Sequence, residues 1–262
     1  MTSSDTPRAL TEAEVSRLWS ECAAAIDKMM ERVADFEDFS VLPHTSLAAD
    51  DLASSPYQVS HAVRHCIVVG TDNLHAVKQL VVEDQVLHVT APFTLARASL
   101  EVLAVGYWIL GPAKRSVRVE HTLRWNAKNF RDQHSATDQI PTFEQNSTLE
   151  EKLDKLQRVA ERRNIGRQFR GGYYSTTAVK YAETHSESRV LLPWQMCSGY
   201  AHGRPWASLG TSDREAFSTD DPEVANLKMT SSLSMTLYPV RAAVHLLADL
   251  VKLHKQRAES QY

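Results

Sequence analysis

From Pro92 to Leu110 the chain reads P-F-T-L-A-R-A-S-L-E-V-L-A-V-G-Y-W-I-L. Written on a helix, this stretch is apolar around nearly its whole circumference, interrupted by Arg97 and Glu101 one turn apart. A helix without a polar face belongs at the centre of a core. The pattern therefore sends the arginine and the glutamate into that core, where charges occur only when paired. Arg97 and Glu101 become the leading candidate site.

Outward from this helix, Gly111 and Pro112 stop it at one end. On the amino-terminal side, Thr11 and Glu14 form a capping-box pattern ahead of Val15, Leu18, Trp19, Cys22, Ile26, Met29, Met30, Val33 and Phe36 at helical spacing. Ser55 and Pro56 read as an N-cap and first-turn pair for a second helix, whose apolar face carries Val59, Val63, Cys66, Ile67, Leu74, Val77 and Val81. On the carboxyl-terminal side, a basic amphipathic helix with Arg115, Arg118, Arg124, Lys128 and Arg131 runs to about His134.

Residues 135–146 read as a loop, and Ser147 with Glu150 as a second capping box before Leu149, Leu153, Leu156 and Val159. Residues 167–188 carry no decisive signal. Pro193, Gly199, Gly203 and Pro205 make 191–206 a short or irregular helix, and Asp221, Pro222 and Glu223 read as the start of a last long helix kinked at Pro239. Only Val81 to Val89 has β-like composition. The expectation is an all-α fold with at most a short hairpin. It is one bundle of about seven to nine helices over residues 1–262, with 92–110 buried at its centre and flexible ends at 1–10 and 258–262.

Composition excludes several classes. With 29 basic and 32 acidic residues among 262, the formal charge of -3 does not call for nucleic acid or an anionic membrane as partner. Cys22, Cys66 and Cys197 are odd in number, far apart and set in apolar patterns, which suits core thiols in a reducing cytoplasm rather than disulfides or a zinc site. The start M-T-S-S-D-T-P-R-A-L has no signal-peptide pattern. The 92–110 stretch is long enough to span a bilayer, but Arg97 and Glu101 would each oppose insertion by roughly 2.5 to 3.5 kcal/mol. A soluble cytoplasmic protein without membrane contact is expected.

Three segments carry a family resemblance: R-H-C-I-V-V-G-T-D-N-L-H-A-V from Arg64, A-P-F-T-L-A-R-A-S-L-E from Ala91, and W-Q-M-C-S-G-Y-A-H-G-R-P-W from Trp194. They resemble a group of uncharacterised bacterial helical proteins in which D-x-L-H, R-x-x-x-E and S-x-x-x-H-G motifs follow one another. The resemblance covers about Pro56 to Trp206. It implies a helical bundle with no established activity, and it points to Asp72, His75, Arg97, Glu101, Ser198 and His202.

Each candidate has a plain and a functional reading. His61, His65, Val68, Asp72 and His75 share one helical stripe, which can supply metal ligands or be a solvated polar face. A di-metal bundle would need a second matching half, so no metal and no cofactor are expected. Arg97 and Glu101 are either a core salt bridge or a site in which the guanidinium clamps an anion while the glutamate holds it. Ser198 and His202 could face one another, but a serine nucleophile also needs an orienting group and an oxyanion hole.

Arg115 and His121 match the R-x5-H spacing of HEPN-type ribonucleases, a family whose wider R-x4-to-6-H pattern this composition yields roughly twice by chance. Arg158, Arg162, Arg163, Arg167 and Arg170 precede Tyr173 and Tyr174, a mixture that suits single-stranded nucleic acid or a solvated helix end. The leading expectation is a binding module for a small anionic ligand or a protein partner, a homodimer included, around Arg97 and Glu101. The rival is a HEPN-like, metal-independent ribonuclease.

Overall fold

The structure is a computed structural model that describes residues 9–35, 37–140 and 147–259. Its helices are α1 (Glu12–Ala34), α2 (Ser46–Ser54), α3 (Val59–Lys78), α4 (Ala91–Leu110), α5 (Arg115–Thr137), α6 (Leu149–Glu161), α7 (Ser175–His185), α8 (Leu191–Ala201), α9 (Pro205–Thr211) and α10 (Leu233–Glu259). A π turn, Gln79–Glu83, extends α3, and a 3-10 turn spans Arg167–Gly171. Strands β1 (Asp213–Ser218) and β2 (Ala225–Thr230) pair antiparallel, with Ala216 opposite Leu227. The fold is mainly helical, with ten α-helices and one hairpin among the described residues.

α4 is the axis of the bundle. It packs most extensively on α3 and is further enclosed by α10, α8 and α7. Phe93, Ala96, Leu100, Leu103, Ala104, Ile109 and Leu110 have no accessible surface. By length and composition α4 could cross a membrane, yet 61% of it is buried inside the protein, as in a core helix. The first and last described helices close the bundle against each other. The Trp19 indole N–H of α1 donates to the Leu233 carbonyl at 3.0 Å, and Leu42 N–H donates to the Ala258 carbonyl at 3.0 Å. A second apolar cluster joins α5, α6 and the 3-10 turn through Val119, Leu123, Leu153, Leu156 and Phe169, with Ala53 of α2.

The α3–α4 crossing depends on a missing side chain. Ser99 Oγ donates to the Gly70 carbonyl at 2.9 Å, and a Cβ at position 70 would lie 2.6 Å from Leu103 Cγ and Cδ2. Leu103 is fully enclosed and cannot swing clear. Gly70→Ala gains up to about 1 kcal/mol of helix propensity against about 1 to 3 kcal/mol of overpacking. We expect a net loss of about 1 to 2 kcal/mol in urea denaturation. A midpoint equal to or above wild type would show that Leu103 re-seats freely.

Several boundaries differ from the sequence reading. The Thr11–Glu14 capping box is present, whereas the second box is Thr148–Glu151, one residue beyond Ser147–Glu150. Phe36 lies outside the described residues. Ser55 and Pro56 do not cap α3; its N-cap is Gln58, and its start is tied to α2 because the Ser60 amide and hydroxyl both donate to Asp51 (2.9 and 2.6 Å). The expected loop at 135–146 begins later, since α5 continues to Thr137, and 141–146 lie outside the described residues.

Val81 to Val89 forms no strand: its first residues continue α3 as the π turn, with Val81 in the core. Asp221, Pro222 and Glu223 do not open a helix. They form the tip of the hairpin, where Asp221 Oδ1 accepts from the Glu223 amide, and α10 begins only at Leu233, continuing through Pro239. At the carboxyl-terminal end, Ala258 is buried within α10 rather than loose, and 260–262, like 1–8, lie outside the described residues.

Candidate functional site

Arg97 and Glu101 do form a pair, with Arg97 Nη2 3.1 Å from Glu101 Oε2. They sit at the edge of the core rather than inside it, with side chains 27% and 26% exposed. The reason is incomplete cover: α7 and α8 leave a stripe of α4 partly open, where Thr94 is exposed and Ala98 half-buried. The fully buried arginine is Arg118. Its Nε and Nη2 grip both oxygens of Asp50 at 2.6 and 2.7 Å, Nη1 donates to the Pro112 and Ala113 carbonyls, and Nη2 also reaches Ser46 Oγ.

Both oxygens of Glu101 are engaged. Oε1 accepts from Ser175 Oγ at the start of α7 (2.7 Å), and Oε2 accepts from the Trp194 indole N–H in the first turn of α8 (3.2 Å) while facing Arg97. The carboxylate thus ties three helices together and holds one indole. Arg97 Nε is buried and has no partner among the described residues. The Cys197 thiol lies close enough to feel Arg97, but burial outweighs that charge and pushes its pKa up; burial likewise raises Cys22 to about 11 and Cys66 to about 12. These are inert core thiols.

Trp194 also lines a groove of about 470 Å³ between α8 and α9, together with Leu192, Gln195, Ser198, His202, Arg204 and Trp206. Two glycines shape it. Gly203, at φ +59°, takes the left-handed conformation that turns the chain out of α8, and the Arg204 amide returns to the Gly199 carbonyl at 2.8 Å. A Cβ on Gly199 would lie 2.5 Å from Ala207 Cβ and 2.8 Å from Trp206 Cζ2, so its absence lets α9 seat on α8 and sets Trp206 at the rim, 57% exposed. His202 and Arg204 are exposed, form no ion pair among the described residues, and no acidic side chain lines the groove.

Of the residues expected from sequence, Ser198 and His202 line this groove, and Glu101 touches it through Trp194. Asp72 is exposed and His75 half-buried on α3; neither has a hydrogen bond or ion pair to Arg97 or Glu101 among the described residues. No hydrogen bond joins the Ser198 and His202 side chains. His61 and His65 are exposed, with His65 edge-on to Trp125, and among the described residues no three His, Cys, Asp or Glu side chains converge as metal ligands would. Trp194, Ser175, Arg204 and Trp206 were not singled out from sequence. Trp194 and Trp206 bracket the W-Q-M-C-S-G-Y-A-H-G-R-P-W segment, which was a signal for them.

No protein-family model matches the chain, and neither a curated protein nor a solved structure is significantly similar to it. The geometry alone bears on function. A larger recess of about 810 Å³, lined by Trp19, Leu87 and Leu233, carries a single ionisable side chain, Glu12, and borders the edge of the described residues at Leu10.

The ribonuclease pair is differently engaged. Arg115 leans towards Asp50 at 3.4 Å. His121 stacks on Trp108 with ring centroids 3.8 Å apart, its Nδ1 lies 2.7 Å from the Trp108 carbonyl oxygen, and burial lowers its pKa. Three of the five arginines in the basic segment are committed within the chain: Arg162 to the Ser55 carbonyl, Arg163 to the Ala53 carbonyl, and Arg170 to Asp154 and Glu150.

Proposed function

We propose that the protein is a binding module for a small anionic ligand, seated in the groove between α8 and α9. The observation that carries this reading is the set of ionisable groups lining the groove: Arg204 and His202, both exposed, neither paired with a carboxylate among the described residues. Glu101, which meets the groove wall at Trp194, has both oxygens engaged by Ser175, Trp194 and Arg97, so it does not compete for the groove's donors. Arg204 offers a planar fork of donors to a carboxylate or phosphate. Arg97 and Glu101 act one layer behind, as positioning residues that hold the Trp194 wall. A ribonuclease reading needs Arg115 and His121 open at a cleft, and their contacts with Asp50 and Trp108 do not favour it.

The test is thermal denaturation in phosphate or citrate against chloride at equal ionic strength. A ligand at 100 times its Kd stabilises by about 2.7 kcal/mol, a rise of roughly 5 to 10 °C for a chain of this size. Phosphate and citrate also stabilise proteins without binding a site. The decisive comparison is therefore Arg204→Gln, which should retain only that general effect. An equal rise in Arg204→Gln, or no rise over chloride in the wild type, would sink the reading.

A further inference from the structure

We infer that the ligand is a planar aromatic ring bearing one anionic group, its face stacked on the Trp206 indole and its charge met by Arg204. This rests on the anion-binding reading above and narrows it to a chemical class. The groove has two indoles in a lining of eight residues, and one of them, Trp206, is 57% exposed. Leaving a large aromatic surface in water forgoes the gain of burying it. Leu192, on the same rim, is 62% exposed.

Both indoles are also braced on one side. Trp194 is tethered through its N–H to Glu101, and Trp206 rests on the bare backbone of Gly199 with no room for a Cβ beneath it. A rigid aromatic surface is ready to accept a flat partner without first losing side-chain freedom. A volume of about 470 Å³ is that of a small-molecule site. Apolar flatness and positive charge occur together here, with Ser198 and Gln195 as neutral hydrogen-bonding groups, so the complementary molecule is flat, apolar and negatively charged at one end.

The test is calorimetric titration of the full chain with matched pairs. 2-Naphthoate is compared with decahydro-2-naphthoate, which has the same carbon skeleton and charge without the planar ring. Adenosine monophosphate against ribose 5-phosphate, which lacks the base altogether, tests the ring for a phosphate, and the tighter-binding aromatic member indicates the anionic group. Stacking on one aromatic side chain is worth about tenfold or more in affinity, so the aromatic member of at least one pair should bind about tenfold tighter than its partner.

Trp206→Leu should collapse that preference and Trp206→Tyr should retain it, while Arg204→Gln weakens both members of a pair alike. Equal binding of aromatic and saturated members, or a preference that survives Trp206→Leu, would overturn the inference and leave the anion site standing. If none of the four anions binds, both fall together.

Discussion

Arg118→Ala is expected to cost about 3 to 5 kcal/mol of folding stability, the largest effect of any single substitution considered. The side chain is 2% exposed and its partner Asp50 is fully buried, so the truncation leaves the carboxylate in the core with only the half-exposed Arg115, 3.4 Å away, opposite it. It also strips donors from the Pro112 and Ala113 carbonyls and from Ser46 Oγ. A loss of that size is a large fraction of a domain's margin. Urea denaturation followed by circular dichroism is the measurement.

The paired substitution Arg118→Met with Asp50→Leu should recover part of the loss, because a volume-matched apolar pair removes the desolvated charge. It cannot recover all of it, since the Ala113 carbonyl loses its Arg118 donor and the Pro112 carbonyl keeps only Arg257. By contrast, Arg97→Ala should cost about 1 kcal/mol or less, because its pair with Glu101 is a partly exposed i,i+4 contact. If Arg97→Ala proves as damaging as Arg118→Ala, the pair at the edge of α4 belongs to the core after all.

The second large effect is acid sensitivity carried by His254. Its ring is 4% exposed, edge-on to Phe39 at 5.4 Å, with Nε2 lacking a hydrogen-bond partner among the described residues. Burial, reinforced by Arg32 and Arg64 and only partly opposed by Asp38, pushes its pKa down from 6.5 to about 4. Between these two values the unfolded chain takes up a proton that the folded chain refuses. Stability is therefore unaffected above pH 6.5, falls as pH drops from 6.5 towards 4, and loses roughly 3 kcal/mol over that window.

His121 and His245 also have lowered pKa values and add to the same slope. The bond from Arg32 holds Asp38 below the usual carboxylate range, so its contribution is lost only at lower pH. In His254→Leu the decline between pH 6.5 and 4 should lose most of its steepness. Urea midpoints at pH 7, 6, 5 and 4.5 read this directly, and parallel declines in variant and wild type would show that other groups carry the acid response.

How far the fold was legible follows from where each signal is local. The central position of α4 was readable because its apolar residues are contiguous, and the Thr11–Glu14 cap because both partners lie within one turn. The second capping box was misplaced by one residue because Ser147–Glu150 and Thr148–Glu151 satisfy the same pattern. Asp221, Pro222 and Glu223 misled because residues that open helices also build turns. The strands flanking them gave no alternating pattern, since nearly every residue of the ribbon faces water and there is no core side to mark.

The same logic separates the two arginines. Arg97 stood out in an apolar run, while Arg118 was hidden in a basic stripe and its partner Asp50 lies 68 residues away on a short helix with little periodic signal. At the groove, the motif exposed Ser198 and His202. The tether from Trp194 to Glu101 spans 93 residues of sequence and could not be read from either end.

The meeting of α1 with α10 also sets a schedule for the nascent chain. The bond from Trp19 to Leu233 joins residues 214 positions apart. At about 5 to 20 residues per second, ribosomal synthesis keeps the two partners separated for roughly 10 to 40 s. α3 can cover one flank of α1 as soon as it emerges, but the flank that meets α10 stays open until α10 has been translated. Among the described helices, α1 is thus the one whose apolar flank waits longest for its partner, since that partner is α10.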